Sequence, residues 1–187
     1  MTSHELREQL VGLLTERSAK KGRFTLSSGR ESTLYIDARL TTMSPEGLVL
    51  IGALGFDALN RSDWNVGSVG GLTLGADPVA YAIAYTSELR AQRIRAFTVR
   101  KETKSHGTGQ LIEGPFQSGD RVAVIEDVIT TGASALRAIT AVRNAGGNVL
   151  GVLAVVDREE GGRDLLENEG LSVIALTTAT DILQRMR

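Results

Sequence analysis

The sequence predicts an α/β fold, a mainly parallel central sheet flanked by helices, with a small element added at the N-terminus. Three observations carry this. Short apolar runs at 66–69, 96–99, 122–125, 149–156 and 173–176 have the length and β-branched content of strands buried on both faces. Segments of helical periodicity near 78–89, 133–145 and 163–169 separate most of them, the alternation that βα units around a parallel sheet produce. The chain has 21 glycines against 3 prolines in 187 residues, a composition that points to sharp, backbone-lined turns rather than to disorder.

Taken in order, Thr2 and Glu5 have capping-box spacing, and Leu6, Leu10, Leu13 and Leu14 recur at helical intervals, so an amphipathic helix opens the chain. Gly22 is expected to end an irregular stretch after it. Segment 24–40 alternates around Ser27, Ser28 and Gly29, the pattern of a hairpin or two short strands. Ser44 and Pro45 then start a second helix running to about Asn60. No linker or repeat interrupts the βα pattern beyond it. One domain spanning 1–187 is expected, with 1–40 forming the N-terminal helix and a hood-like element and 41–187 the α/β core.

Charge and composition exclude several function classes. Lys and Arg number 21 against 22 Asp and Glu, a net charge of -1, so no bulk field draws the chain to nucleic acid or to an anionic membrane. Cysteine is absent, which rules out disulfides, thiolate catalysis and Cys-ligated zinc. The charged N-terminus lacks the apolar centre of a signal peptide, and no stretch approaches the ~18 apolar residues of a membrane span. The expectation is a cytoplasmic protein with no membrane or nucleic-acid partner.

The most informative run is RVAVIEDVITTGAS at 121–134. A buried strand delivers two adjacent acids, Glu126 and Asp127, to its C-terminal end, where open α/β sheets place their ligands. Val128 and Ile129 lead into Thr130, Thr131, Gly132, Ala133 and Ser134, which add hydroxyls, a flexible glycine and the unpaired amides of a helix N-terminus, a combination suited to phosphate. The competing reading is that Thr131 or Ser134 merely caps the helix. A second run, VRKETKSHGTGQLIEG at 99–114, sets Arg100, Lys101, Lys104 and His106 among glycines and polar residues, as a closing loop that neutralises a leaving group would. A third, GGLTLGADP at 70–78, ends one strand and opens a helix at Pro78, offering backbone amides to an anion.

The 121–134 run resembles the phosphoribosyl pyrophosphate (PRPP) signature of type I phosphoribosyltransferases. The 99–114 run is similar to the catalytic loop of the orotate phosphoribosyltransferases among them, and the likeness extends to FTLSSGRESTLYID at 24–37 and VVDR at 155–158. The resemblance implies transfer of the 5-phosphoribosyl group to orotate in pyrimidine synthesis, with Mg2+ on substrate oxygens and a homodimer that shares its active sites. It implies that Glu126 and Asp127 hold the ribose hydroxyls, that 128–134 holds the 5-phosphate, and that Arg100, Lys101, Lys104 and His106 serve the departing pyrophosphate. Lys101, Lys104, His106 and Asp127 would carry the catalysis. Arg158 would pair with the orotate carboxylate, a match that planar guanidinium chemistry favours. Thr130, Leu34 and Tyr35 would meet the base. Two positions depart from the pattern: Ser27 and Leu74 stand where many members have lysine. A purine phosphoribosyltransferase, or a PRPP-sensing regulator of the same fold, would share the signature without needing Arg158. Elsewhere, His4 is expected to be solvated, Trp64 to pack at a strand start, and Arg90, Arg93 and Arg95 to form a solvated face.

Overall fold

A computed structural model describes residues 1–25, 31–102 and 111–186. Thr2 caps α1 (Ser3–Leu13) as its spacing predicts: its hydroxyl accepts the Glu5 N–H at 3.2 Å, and the Glu5 carboxylate accepts the Thr2 N–H at 2.8 Å. A π-helical turn, Leu14–Ser18, leads directly into β1 (Ala19–Thr25), which pairs antiparallel with β2 (Glu31–Ile36). The first strand therefore begins earlier than segment 24–40 predicts. Gly22 lies inside it rather than ending a loop, at a register shift between Lys21 and Phe24 where an added Cβ would sit 3.1 Å from the Phe24 ring. The short helix α2 (Arg39–Thr42) then turns the chain into α3 (Pro45–Arg61), whose Ser44 cap accepts the Gly47 N–H at 3.1 Å.

The main sheet comprises β3 (Ser68–Leu72), β4 (Arg95–Val99), β5 (Ile112–Glu113), β6 (Arg121–Ile129), β7 (Asn148–Asp157) and β8 (Ser172–Thr178). Between them lie α4 (Ala76–Leu89), α5 (Ala133–Asn144) and α6 (Gly162–Asn168), and α7 (Ala179–Arg185) comes after β8. The sheet order is β5-β4-β3-β6-β7-β8, parallel except for β5 against β4. The predicted mainly parallel sheet is thus observed. Its burial has the two-residue period that strand geometry imposes. Ala123, Ile125, Leu153 and Val155 face a core shared with α1, α3, α4 and α7, whereas Val122, Val124, Val152 and Ala154 face α5 and α6. The N-terminal element joins the first core through Leu10, Leu14, Leu34 and Ile36.

Two features of the sheet position the ligand site. β6 runs on to Ile129, so Glu126 and Asp127 lie in its C-terminal half, as the sequence predicts. From β3 the chain winds outward through β4 and β5, then returns to place β6 on the other side of β3. The crevice above the C-terminal ends of β3 and β6 is therefore the switch point where such sheets bind ligands. Among the described residues no helix is long and apolar enough to cross a membrane.

Trp64 packs as expected, over Gly151 on β7: an added Cβ there would lie 2.3 Å from the indole and 2.6 Å from the Ser172 carbonyl. Gly151→Ala should therefore destabilise the fold by about 1–3 kcal/mol through overpacking. Since Trp64 is the chain's single tryptophan, its fluorescence during urea unfolding reads the change directly; an unchanged midpoint would show that the indole has room to move.

Candidate active site

A cavity of about 300 Å3 opens at the switch point. β6 supplies Glu126, Asp127 and Val128; the turn after β3 supplies Thr73, Leu74 and Gly75; the hairpin side supplies Tyr35, Asp37 and Arg39; Lys101 and Arg158 complete the wall with Thr130 and Ser134. Beside it, residues 129–135 line a recess of about 30 Å3. Most residues expected at the site from the sequence are thus brought together.

The two acids sit in unequal environments. Glu126 is buried, and desolvation, reinforced by the neighbouring Asp127 charge, raises its pKa from 4.5 to about 8. Asp127 is also pushed upward, chiefly by burial, with the Val128 N–H bond at 2.9 Å and the Arg39 charge acting in the opposite direction. The turn after β3 closes tightly on Asp127: a Cβ on Gly75 would lie 2.5 Å from its Oδ1, so a side chain there would displace the carboxylate. The Thr73–Leu74 peptide in this turn is cis.

The loop before α5 does not use its hydroxyls as helix caps. The helix N-cap is Gly132, in the left-handed region at φ 79, and no side chain caps the helix. Neither the Thr131 nor the Ser134 hydroxyl is spent on capping, and the first-turn amides stay available to an anion. Gly132 is also pressed close to α6, since its Cβ would meet the Gly162 carbonyl at 3.0 Å.

Arg158 is only 6% exposed. Its Nη2 donates to Ser32 Oγ at 3.0 Å, to the Leu34 carbonyl at 2.9 Å and to Glu160 Oε1 at 2.6 Å, while its buried Nε has no acceptor among the described residues. An orphaned buried donor of this kind costs about 1–3 kcal/mol until something accepts from it. The residue after it, Glu159, adopts φ 57 and is held by its carboxylate on the Thr180 N–H and hydroxyl at 2.8 and 2.6 Å.

Other residues expected at the site are placed differently. Leu34 turns its side chain into the core and contributes its carbonyl to Arg158, whereas Tyr35 lines the cavity and stacks on Phe24 with ring centroids 5.4 Å apart. Arg100 leans toward Glu113, at 3.5 Å, outside the cavity lining. Ile129 is a core residue that reaches only the recess. Ser27, Lys104 and His106 lie outside the described residues. Arg39 is a cavity residue that motif reading passed over; Asp37 grips it through Nε at 2.8 Å and Nη2 at 3.0 Å, and that bond holds the Asp37 carboxyl below its ordinary pKa. The available signal was an acid and an arginine two apart at the end of a strand.

No protein-family model matches the chain. A relative named orotate phosphoribosyltransferase, from Aquifex aeolicus, is 48% identical over 180 residues, covering 95% of this chain and 97% of that one. The chain belongs to the orotate phosphoribosyltransferase family. Solved orotate phosphoribosyltransferase structures agree: the Mycobacterium tuberculosis enzyme with inorganic phosphate superimposes at a TM-score of 0.82 with 44% identity, covering 95% of this chain and 98% of that one. The same enzyme with PRPP gives a TM-score of 0.78 and 38% identity, covering 95% and 92%. The fold is that of the type I phosphoribosyltransferases, a mainly parallel sheet flanked by helices, as these solved structures show.

The Glu126 environment has a measurable consequence. Its folded pKa of about 8 exceeds the ordinary 4.5, so the stability it contributes is full below 4.5 and is lost as pH rises through about 8. Glu126→Gln, which stays neutral, should flatten the fall in melting temperature of the ligand-free protein across that window. A wild-type and variant profile of equal slope would mean that Glu126 ionises freely in the folded state.

Proposed function

We propose that this chain transfers the 5-phosphoribosyl group of PRPP to orotate, forming orotidine 5-phosphate and pyrophosphate. The observation that carries the choice of base is Arg158, whose guanidinium belongs to the cavity wall: its planar fork suits a carboxylate, which orotate brings and the purine bases lack. A purine phosphoribosyltransferase or a PRPP-sensing regulator leaves that donor unexplained.

In this reading the N-terminal amides of α5, with Thr131 and Ser134, bind the 5-phosphate, while Glu126 and Asp127 hold the ribose hydroxyls. Thr130 and Tyr35 meet the pyrimidine, and the Leu34 carbonyl keeps Arg158 aimed. As the bond from ribose C1 to the pyrophosphate oxygen breaks, the ribosyl centre becomes cationic and Asp127 lies where that charge is favoured. Lys101, with Arg100, Lys104 and His106 from the same run, takes up the developing negative charge, and His106 or a lysine supplies the proton. Mg2+ is the companion ion of this proposal. Glu126 and Asp127 are two hard oxygen donors on an open cavity, and among the described residues no group of three or more metal ligands forms a cage. That donor set suits an ion that keeps its waters and shares substrate oxygens. When bound, it would neutralise diphosphate charge.

The assay that tests the reading is loss of orotate absorbance with PRPP and Mg2+, against uracil, hypoxanthine and adenine; turnover of a purine in place of orotate would overturn it. Arg158→Lys should raise KM for orotate about tenfold or more while leaving that for PRPP nearly unchanged, because lysine keeps charge but loses the fork.

A two-fold dimer belongs to the same proposal. α4 exposes Tyr81, Tyr85 and Leu89 at i, i+4 and i+8, an apolar stripe that suits a partner surface, and exposed Leu74 lies just before the helix. If Lys104 acts in the neighbouring site, Lys104→Ala and Asp127→Asn will each be nearly inactive. Refolded together, they should recover roughly a quarter of wild-type activity, since about half the dimers are mixed and each has one intact site. Recovery no greater than the sum of the separate variants, with mixed dimers present, would place each loop over its own site.

A further inference from the structure

Asp77 takes no part in the proposed chemistry, yet it is an unusual residue to bury. It sits in the first turn of α4, 8% exposed, and among the described residues no cation pairs with it. Each carboxylate oxygen is taken by a threonine hydroxyl instead: Thr98 Oγ1 donates to Oδ1 at 2.8 Å and Thr73 Oγ1 donates to Oδ2 at 2.6 Å. Burying a carboxylate is costly, and two charge-assisted bonds offset that cost without giving the fold a clear surplus over an apolar residue. What the arrangement does secure is the place of Thr73.

Thr73 opens the three-residue wall, Thr73 to Gly75, that faces the cavity. Its N–H donates to the Val99 carbonyl at 2.8 Å, and its hydroxyl is fixed by Asp77. Thr98, the other arm, stands on β4 opposite Gly71 of β3, so the brace ties the turn to the neighbouring strand. The far end of the wall, Gly75, closes against Asp127. A carboxylate only accepts, which fixes every hydrogen in the network. Thr98 gives its proton to Asp77, so Tyr81, 2.8 Å away, must donate to Thr98. Thr73 likewise has no proton left for a ligand, and the wall meets an anion with backbone N–H groups.

We propose that Asp77 is a positioning residue for the phosphoribosyl donor: through Thr73 it sets the Thr73–Gly75 wall of the cavity, to which we assign the pyrophosphate, and keeps Gly75 seated on Asp127. This rests on the phosphoribosyl-transfer reading and adds a residue that would touch neither substrate. The variants that test it are Asp77→Asn, whose amide offers one acceptor and one donor where two acceptors stood, together with Thr73→Val, Thr73→Ser and Thr98→Val. PRPP and pyrophosphate binding are measured by calorimetry with Mg2+, beside kcat, both KM values and the melting temperature. Asp77→Asn and Thr73→Val should weaken PRPP and pyrophosphate about tenfold while moving KM for orotate by less than about twofold. Thr98→Val should act in the same direction more weakly, and Thr73→Ser, which keeps the hydroxyl, should bind like wild type. Equal losses for orotate and PRPP, a fall in melting temperature with unchanged PRPP affinity, or a serine variant as weak as the valine one would each overturn the inference. If the wild-type chain binds PRPP and pyrophosphate but does not consume orotate, the proposed reaction falls while the binding comparison still decides the role of Asp77. If it binds neither, both fall.

Discussion

Two carboxylates placed side by side in a buried strand are the constraint to which the rest of the site answers. Glu126 and Asp127 are both driven toward their neutral forms by burial, and the cation that acts on Asp127, Arg39, is already gripped by Asp37. A fold selected for stability alone would place apolar residues here, as it does at the four preceding positions of β6. Keeping the acids costs stability at neutral pH and leaves a site whose electrostatics are completed by what binds there, the usual form of a trade between stability and function.

The walls around that pair are held by bonds that do not reach into the cavity. Arg163 grips the buried Asp157 at 2.7 Å, the Glu159 carboxylate ties the turn after Arg158 to the start of α7, and Arg137 on α5 donates to the Lys101 carbonyl at 3.0 Å. Each links the C-terminal edge of the sheet, or a turn that leaves it, to a neighbouring helix. The scaffold therefore fixes the backbone of the site, while the Thr131 and Ser134 hydroxyls are not spent on capping α5.

The central fold was legible because its strands are short apolar runs that alternate with helical segments, and α3 and α5 were bounded by Ser44 with Pro45 and by Gly132. What escaped was short or locally ambiguous. β5 has two residues and exists only through pairing with β4. α7 has seven residues, and its Thr178–Asp181 capping box repeats the spacing at Thr2 and Glu5 without a long periodic segment behind it. β1 was misplaced because Lys20, Lys21 and Gly22 carry no strand signal and are ordered by β2 across from them. At the site, contiguous motifs were readable and tertiary relations were not. Nothing in the string shows that Leu34 faces inward while its carbonyl holds Arg158, or that Asp77 and Thr98, twenty-one positions apart, share a hydrogen bond.

The same distinction bears on the two positions where the sequence departs from its family. Leu74 lines the cavity and is half exposed, so the lysine that many members carry there has been replaced at the cavity wall itself rather than at some remote point. Arg39 lies on the same cavity, but its bidentate pair with Asp37 is neutral as a unit and adds little field at a distance. What Arg39 retains is the free edge of its guanidinium, a source of directed hydrogen bonds more than of charge. A polyanionic substrate still needs positive potential to enter a cavity with two acids in its floor. Among the described cavity residues that potential rests on Lys101, since Arg158 is paired with Glu160 and Arg39 with Asp37. Lys101 opens the run that also contains Lys104 and His106, so the leucine at 74 shifts the demand for cationic charge to that run, where every cation of the family pattern is present.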